Sequence, residues 1–72
     1  MTLANLKPGQ SAQVFRIRGT GALRRRIMEM GLTPGAELCL RKTAPFGDPI
    51  EIYLRGYSLT LRKADAALVE LI

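Results

Sequence analysis

The sequence predicts a mainly β protein, a small β-barrel of about five strands. One α-helix follows the first strand, and a short helical turn precedes the last. Five short stretches alternate between apolar and polar residues, and turn-forming residues separate them at nearly regular spacing. The 72 residues allow one domain, residues 1–72. A sandwich fits the same pattern, but a closed or half-closed barrel hides more strand edge at this length.

The strands are predicted from side-chain alternation and from the turns between them. Apolar residues lie on both faces of the first strand, so we expect a bulge that moves the core from Val14 to Ile17. Phe15 is also assigned to the core. The next strands place alternate leucines and isoleucines inward. The predicted bounds are Ser11–Arg18, Ala36–Thr43, Ile50–Arg55, Tyr57–Arg62 and Leu68–Ile72.

The helix is predicted between Thr20 and Gly31. Thr20 suits the N-cap because its hydroxyl can accept a bond from a free N–H of the first turn. Leu23, Ile27 and Met30 recur at helical spacing and form one apolar face. This helix is expected to brace or cover the β structure.

Two groups of residues are predicted to set backbone shape. After the helix, Gly31 takes the left-handed C′ position, Leu32 folds back onto Ile27, and Pro34-Gly35 form a turn. Pro45, Gly47 and Pro49 shape the loop that joins the second and third strands, and Gly56 makes the next link tight. Residues 63–67 are expected to form one helical turn.

The side chains needed for catalysis or metal binding are scarce. Histidine is absent, and the six carboxylates are scattered along the chain. The lone Cys39 excludes an internal disulfide or a structural zinc site, and it is interpreted as a small packed residue. We therefore predict no catalytic residues, no cofactor and no metal site, and an enzyme is the class least favoured.

The chain is basic, with a formal net charge of +5 and a pI near 10.2. Such a balance suits an acidic partner such as nucleic acid or an acidic protein surface, although many small basic domains have it for solubility alone. Arg24, Arg25 and Arg26 fan around the helix instead of forming a stripe. Few aromatic residues are available for base stacking, so nucleic-acid binding is not favoured. No signal peptide or membrane span is visible, which predicts a cytoplasmic protein.

The order of these features resembles the FeoA family, ferrous iron transport protein A. The resemblance extends from Leu6-x-x-Gly9 through the final strand, and its ordered set is more specific than any one part. Its further elements are Met30-Gly31-Leu32-x-Pro34-Gly35, Ala44-Pro45-x-Gly47-Asp48-Pro49-Ile50, Arg55-Gly56, Leu59-x-Leu61-Arg62 and Ala66. The resemblance implies an SH3-like barrel and a cytosolic accessory of ferrous iron uptake that acts on the membrane transporter FeoB and its GTP-binding domain. Transition-metal binding is implied by the family only.

The expected activity is a non-catalytic protein interaction. The predicted contact residues lie on the outer helix face and at the tip of the loop between the second and third strands: Arg24, Arg25, Glu29, Phe46 and Asp48. Contact with a membrane is expected only through the FeoB partner, and self-association through strand edges is compatible with this function. Two alternatives stay open: a basic barrel that binds nucleic acid, and a stand-alone relative of the SH3-like domain of metal-dependent repressors.

Overall fold

The computed structural model describes all 72 residues and confirms the predicted fold class. A short 3-10 helix at Leu3–Asn5 precedes the five strands and two α-helices. The elements in chain order are β1 (Ser11–Ile17), α1 (Gly21–Glu29), β2 (Glu37–Thr43), β3 (Ile50–Leu54), β4 (Tyr57–Leu61), α2 (Lys63–Ala66) and β5 (Val69–Leu71). Each predicted strand boundary lies within one residue of the observed one.

The strands form one antiparallel sheet in the order β4-β3-β2-β1-β5. β4 and β5 are the two edges and are not hydrogen-bonded to each other, so the barrel is half closed. The register shifts between Val14 and Arg16 in β1 and between Leu40 and Lys42 in β2. These bulges bend the sheet enough to wrap it around a core.

The core contains 16 buried residues, all of them hydrophobic, and no buried polar or charged residue. The inward residues of β2 and β3 are the predicted ones: Leu38, Leu40, Ile50, Ile52 and Leu54. The initial 3-10 helix adds Leu3. These buried residues form one contiguous cluster, and six partly buried hydrophobic residues pack against it.

Burial in β1 is as predicted for two residues and differs from the prediction for one. Val14 and Ile17 are buried, as expected for a core that changes register at the bulge. Phe15 was placed in the core, and that prediction is wrong, since 55% of this residue is exposed. The shift between Val14 and Arg16 leaves Phe15 on the outer surface, where the Arg16 guanidinium lies 5.7 Å from the ring centroid.

The buried apolar face of α1 extends over less of the helix than predicted. Ile27 is fully buried, Met30 is partly buried, and Leu23 is 37% exposed. Only the C-terminal half of this helix therefore covers the core. Thr20 is the N-cap residue, but its side chain makes no capping hydrogen bond.

The helix exit and the following turn match the residue types expected there. Gly31 has a φ of +104°, and its N–H donates to the Met28 carbonyl at 3.0 Å. Leu32 is fully buried. The Ala36 N–H donates to the Thr33 carbonyl at 3.0 Å, which closes a turn with Pro34 and Gly35 at its centre.

The β3–β4 connection is a two-residue hairpin turn. Arg55 and Gly56 have φ values of +50° and +86°, the signs that a type I′ turn requires at both central positions. The turn fixes the pairing of Leu54 with Tyr57, and the ladder then continues without a bulge to Ile50 and Leu61. β4 is therefore a regular strand with one free side.

Candidate partner-binding surface

No group of three His, Cys, Asp or Glu side chains lies close enough to hold a metal ion. The transition-metal binding implied by the resemblance therefore has no three-residue donor set of this kind in the chain. Cys39 is half-buried on the outer side of β2, where its thiol points toward the Leu40 carbonyl at an Sγ–O distance of 3.7 Å. The features that remain are on the surface.

Phe46 is the most exposed large apolar residue, at 98%. It stands on the loop of residues 44–49, which its own backbone bonds close. The Gly47 N–H donates to the Ala44 carbonyl at 2.7 Å, and the Ala44 N–H donates to the Pro49 carbonyl at 2.9 Å. Pro45 and Pro49 restrict the loop further. The Phe46 ring is thus exposed to solvent on a loop whose backbone is constrained.

Asp48 connects this loop to α2. Its Oδ1 accepts the Lys63 N–H at 3.0 Å, across 15 residues of sequence. The carboxylate thereby satisfies a free N–H of the first helical turn, where negative charge is favourable. Asp48, predicted as a partner contact, therefore also has an internal role that holds the Phe46 loop in place.

Asp65 connects α2 to α1. Its Oδ2 lies 3.9 Å from Arg26 Nη2 and 3.6 Å from Arg62 Nε, and its side chain is only 14% exposed. Arg26 therefore has an ion-pair partner within the protein, although its side chain stays exposed. Arg24, Arg25 and Glu29 are exposed and form no ion pair.

These contacts link α1 to the Phe46 loop through α2. We call α1, α2 and this loop the helix–loop surface; its predicted contact residues are Arg24, Arg25, Glu29, Phe46 and Asp48. The structure shows no direct contact between the helix residues and Phe46. α2, which lies between them, is the element that joins the two parts.

Tyr57 extends this region to the start of β4, a contact that the sequence did not indicate. Its hydroxyl donates to the Met30 carbonyl at the end of α1. Nearby, Arg55 Nη2 donates to Thr33 Oγ1 at 3.0 Å. One end of β4 is therefore anchored at α1, while its other end leads directly into α2.

A shallow groove of about 550 Å³ lies elsewhere, on the outer side of β1, β2 and β3. Tyr53 lines it, with the Arg41 guanidinium 5.2 Å from the ring centroid. Glu37 and Arg55 supply opposite charges to its wall. None of the predicted contact residues lines this groove.

The pKa of the Glu70 carboxyl on β5 is shifted by its neighbours. A hydrogen bond from Arg16 Nε at 2.7 Å lowers the pKa of the Glu70 carboxyl, and the Arg18 guanidinium at 3.6 Å acts in the same direction. The partial desolvation of this carboxyl opposes them. These ion pairs bind β5 to β1 and lie apart from the predicted contact residues.

Together, these features define a small half-closed β-barrel domain with an exposed aromatic loop and a basic helix on its surface. The FeoA domain family model matches residues 1–71, and the chain belongs to that family. None of its helices has the length and apolar character needed to cross a bilayer.

Three similar proteins extend this assignment. A fusion protein of Fe(2+) transport protein A and Fe(2+) transporter FeoB from Porphyromonas gingivalis is 37% identical over 97% of this chain, which spans 8% of the fusion's length. The FeoA-like protein from Clostridium acetobutylicum has 38% identity and a TM-score of 0.92, with coverage of 100% of this chain and 84% of that one. FeoA of Stenotrophomonas maltophilia, solved with zinc and described as an SH3 domain protein, has 28% identity and a TM-score of 0.87 over 100% and 89% of the two chains.

Proposed function

We propose that this chain is a cytoplasmic, non-catalytic accessory of ferrous iron uptake that binds the cytosolic GTP-binding domain of a FeoB-type transporter. The observation that carries the proposal is the Porphyromonas gingivalis fusion, in which a domain similar to nearly this whole chain is joined to FeoB. Fusion holds two domains at high effective concentration. The proposed contact with the transporter's domain needs a complementary surface on this chain.

The helix–loop surface has the properties of such a contact. Phe46 offers apolar area on a loop that backbone bonds already constrain, so little conformational entropy is lost when a partner covers it. Arg24 and Arg25 have no internal partner and supply positive charge that attracts an acidic protein surface. Glu29 adds a carboxylate that helps to fix orientation.

Calorimetric titration of the purified chain against the cytosolic domain of its FeoB tests the apolar part of this contact. We expect binding by the wild-type chain and an affinity loss of about tenfold or more for Phe46→Ala, because a central aromatic anchor dominates many interfaces. Phe15→Ala is the matched control, since it removes another exposed phenylalanine outside the helix–loop surface. Absence of wild-type binding, or equal losses for both variants, contradicts the proposal.

The charged part is tested by Arg25→Glu, with Lys7→Glu as a control for the same change in net charge at another exposed site. We expect Arg25→Glu to weaken binding more than Lys7→Glu, and the difference to shrink as salt screens the charges. Titration of the same protein with RNA and DNA at low salt tests the nucleic-acid alternative. Affinity for either that falls steeply with salt would replace the present proposal.

A further inference from the structure

The outer edge of β4 exposes backbone groups in a regular pattern. In a two-residue hairpin the residues that flank the turn, here Leu54 and Tyr57, form a hydrogen-bonded pair. Pairing then alternates, so Leu59 faces Ile52 in the next hydrogen-bonded pair, whereas Ser58 and Thr60 direct their N–H and C=O groups away from β3. Two donors and two acceptors thus project from this edge.

Nothing in the molecule occupies that edge. No backbone hydrogen bond outside the β3–β4 ladder involves β4, and both Ser58 and Thr60 are exposed. The strand also lacks the usual protection of an edge, because it has no charge, no proline and no bulge. β4 therefore presents a free template for one more strand.

We propose that the β4 edge binds an extended, acidic segment of a partner protein, which adds a sixth strand to the sheet. Residues 52–64 contain no carboxylate and three cations; Arg62 is paired with Asp65 at 3.6 Å, whereas Arg55 and Lys63 form no ion pair. Glu51, which faces Thr60 across the ladder, is paired with Lys42 at 3.9 Å. Acidic residues at the two ends of the added strand would therefore each lie near a positive charge at an end of β4.

The same charges disfavour a second copy of this chain as the occupant. Antiparallel pairing of two β4 strands about Leu59 would join Ser58 to Thr60 of the other copy. It would also place Arg55 opposite Lys63 of the other copy at both ends. Like charges directly opposite each other are destabilising, and each copy already has a net charge of +5.

The geometry also specifies the central residues of the incoming strand. The residue opposite Leu59 points to the inner side of the sheet, where Leu59 is partly buried against the core, so an apolar side chain fits there. Its two neighbours lie beside Ser58 and Thr60 on the outer side and are small and polar. The edge runs from the Tyr57–Met30 contact to the Lys63–Asp48 contact, which places the added strand beside the helix–loop surface. Only the identity of the partner rests on the function proposed above.

Amide hydrogen exchange measured by NMR tests the occupant with a defined probe. The probe is a short synthetic peptide in which Thr-Val-Thr is flanked by glutamates, and the control peptide has lysines in their place. We expect the acidic peptide to slow exchange at the Ser58 and Thr60 amides and the basic peptide to leave them unchanged. No slowing by the acidic peptide, or equal slowing by both peptides, overturns the proposal. Slowing in the chain alone as its concentration rises would assign the edge to a second copy instead.

A second arm uses the FeoB cytosolic domain. Ser58→Pro removes an outward N–H without removing a donor from the β3–β4 ladder, and Ser58→Ala retains that N–H. We expect an affinity loss of about tenfold for the proline variant and no more than about twofold for the alanine variant. Thr60→Pro repeats the test at the other outward position if Ser58→Pro does not fold.

The two proposals fail in different ways. Equal binding of the FeoB domain by wild type and both proline variants would overturn use of the edge and leave the proposed function intact. No binding of the FeoB domain, together with protection of Ser58 and Thr60 by the acidic peptide, would overturn the proposed function and keep the edge site.

Discussion

The two edges of the sheet are built in opposite ways. β5 has three residues, two of them buried, and the start of the chain covers it: the Leu71 N–H donates to the Met1 carbonyl at 2.8 Å, and Thr2 bridges to Glu70. β4 has five residues and carries no charge, and its outer backbone groups form no hydrogen bond within the protein. The comparison teaches that this domain uses one edge to complete its core and leaves the other without a backbone partner; we propose the free edge as a binding site. Stability should therefore depend on the first edge and binding on the second.

The largest difference between the two edges is expected in the loss of stability when a leucine at each edge is replaced by alanine. Leu3, in the segment that covers β5, is fully buried, whereas Leu59 in β4 is only partly buried. We expect Leu3→Ala to lower the free energy of unfolding by about 2–5 kcal/mol, which is comparable with the whole stability of so small a domain. Leu59→Ala should cost about 1 kcal/mol. Urea denaturation checks both variants, and an equal or larger loss for Leu59→Ala would contradict the comparison.

A smaller effect is expected where α1 contacts the start of β4. A Cβ at Gly31 would lie 2.7 Å from Tyr57 Oη, and the backbone φ of +104° is strained for any other residue. Gly31→Ala should therefore disrupt the Tyr57–Met30 hydrogen bond and cost about 2–3 kcal/mol. Gly9→Ala is the control, because Gly9 has a φ of +91° with nothing within 4 Å of the added Cβ, and it should cost about 1 kcal/mol. Thermal melts that give equal losses would show that the α1–β4 contact contributes nothing.

The smallest expected effect concerns the charges at β5. The pKa of Glu70 is lowered in the folded protein, chiefly by the hydrogen bond from Arg16, so its contribution to stability is present above the unfolded-state pKa. That contribution is lost as the pH falls through the folded-state pKa. Glu70→Gln should therefore lower stability at neutral pH and reduce its decline in acid. Urea denaturation at pH 7 and in acid measures this, and a variant with the same acid dependence as wild type would rule it out.

Much of the fold could be predicted because, along most of the chain, the alternation of apolar residues and the positions of turn-forming residues indicate the elements that the structure contains. Alternating leucines and isoleucines located β2 and β3, and Pro34-Gly35 and Gly56 located the turns beside them. The bulge in β1 was also predicted, because it lets apolar residues on both faces of the strand contribute to one core. These features depend on neighbours in sequence.

The parts that could not be predicted depend on partners distant in sequence. Alternation alone placed Phe15 inward, but the bulge that moves the core to Ile17 turns Phe15 outward. Leu23 has the correct helical spacing for burial, yet no part of the barrel extends far enough to cover it fully. The bond between Asp48 and the Lys63 N–H has no local sequence signal, because the two residues are 15 positions apart and meet only in the folded protein.

The most direct test maps where the FeoB cytosolic domain binds, by NMR amide exchange and chemical-shift changes on the labelled chain. We expect changes at Arg24, Arg25 and Phe46 and slowed exchange at Ser58 and Thr60, with β5 unaffected. Changes confined to β5 and its cover at Met1–Thr2, or no change at saturating FeoB domain, would contradict the account.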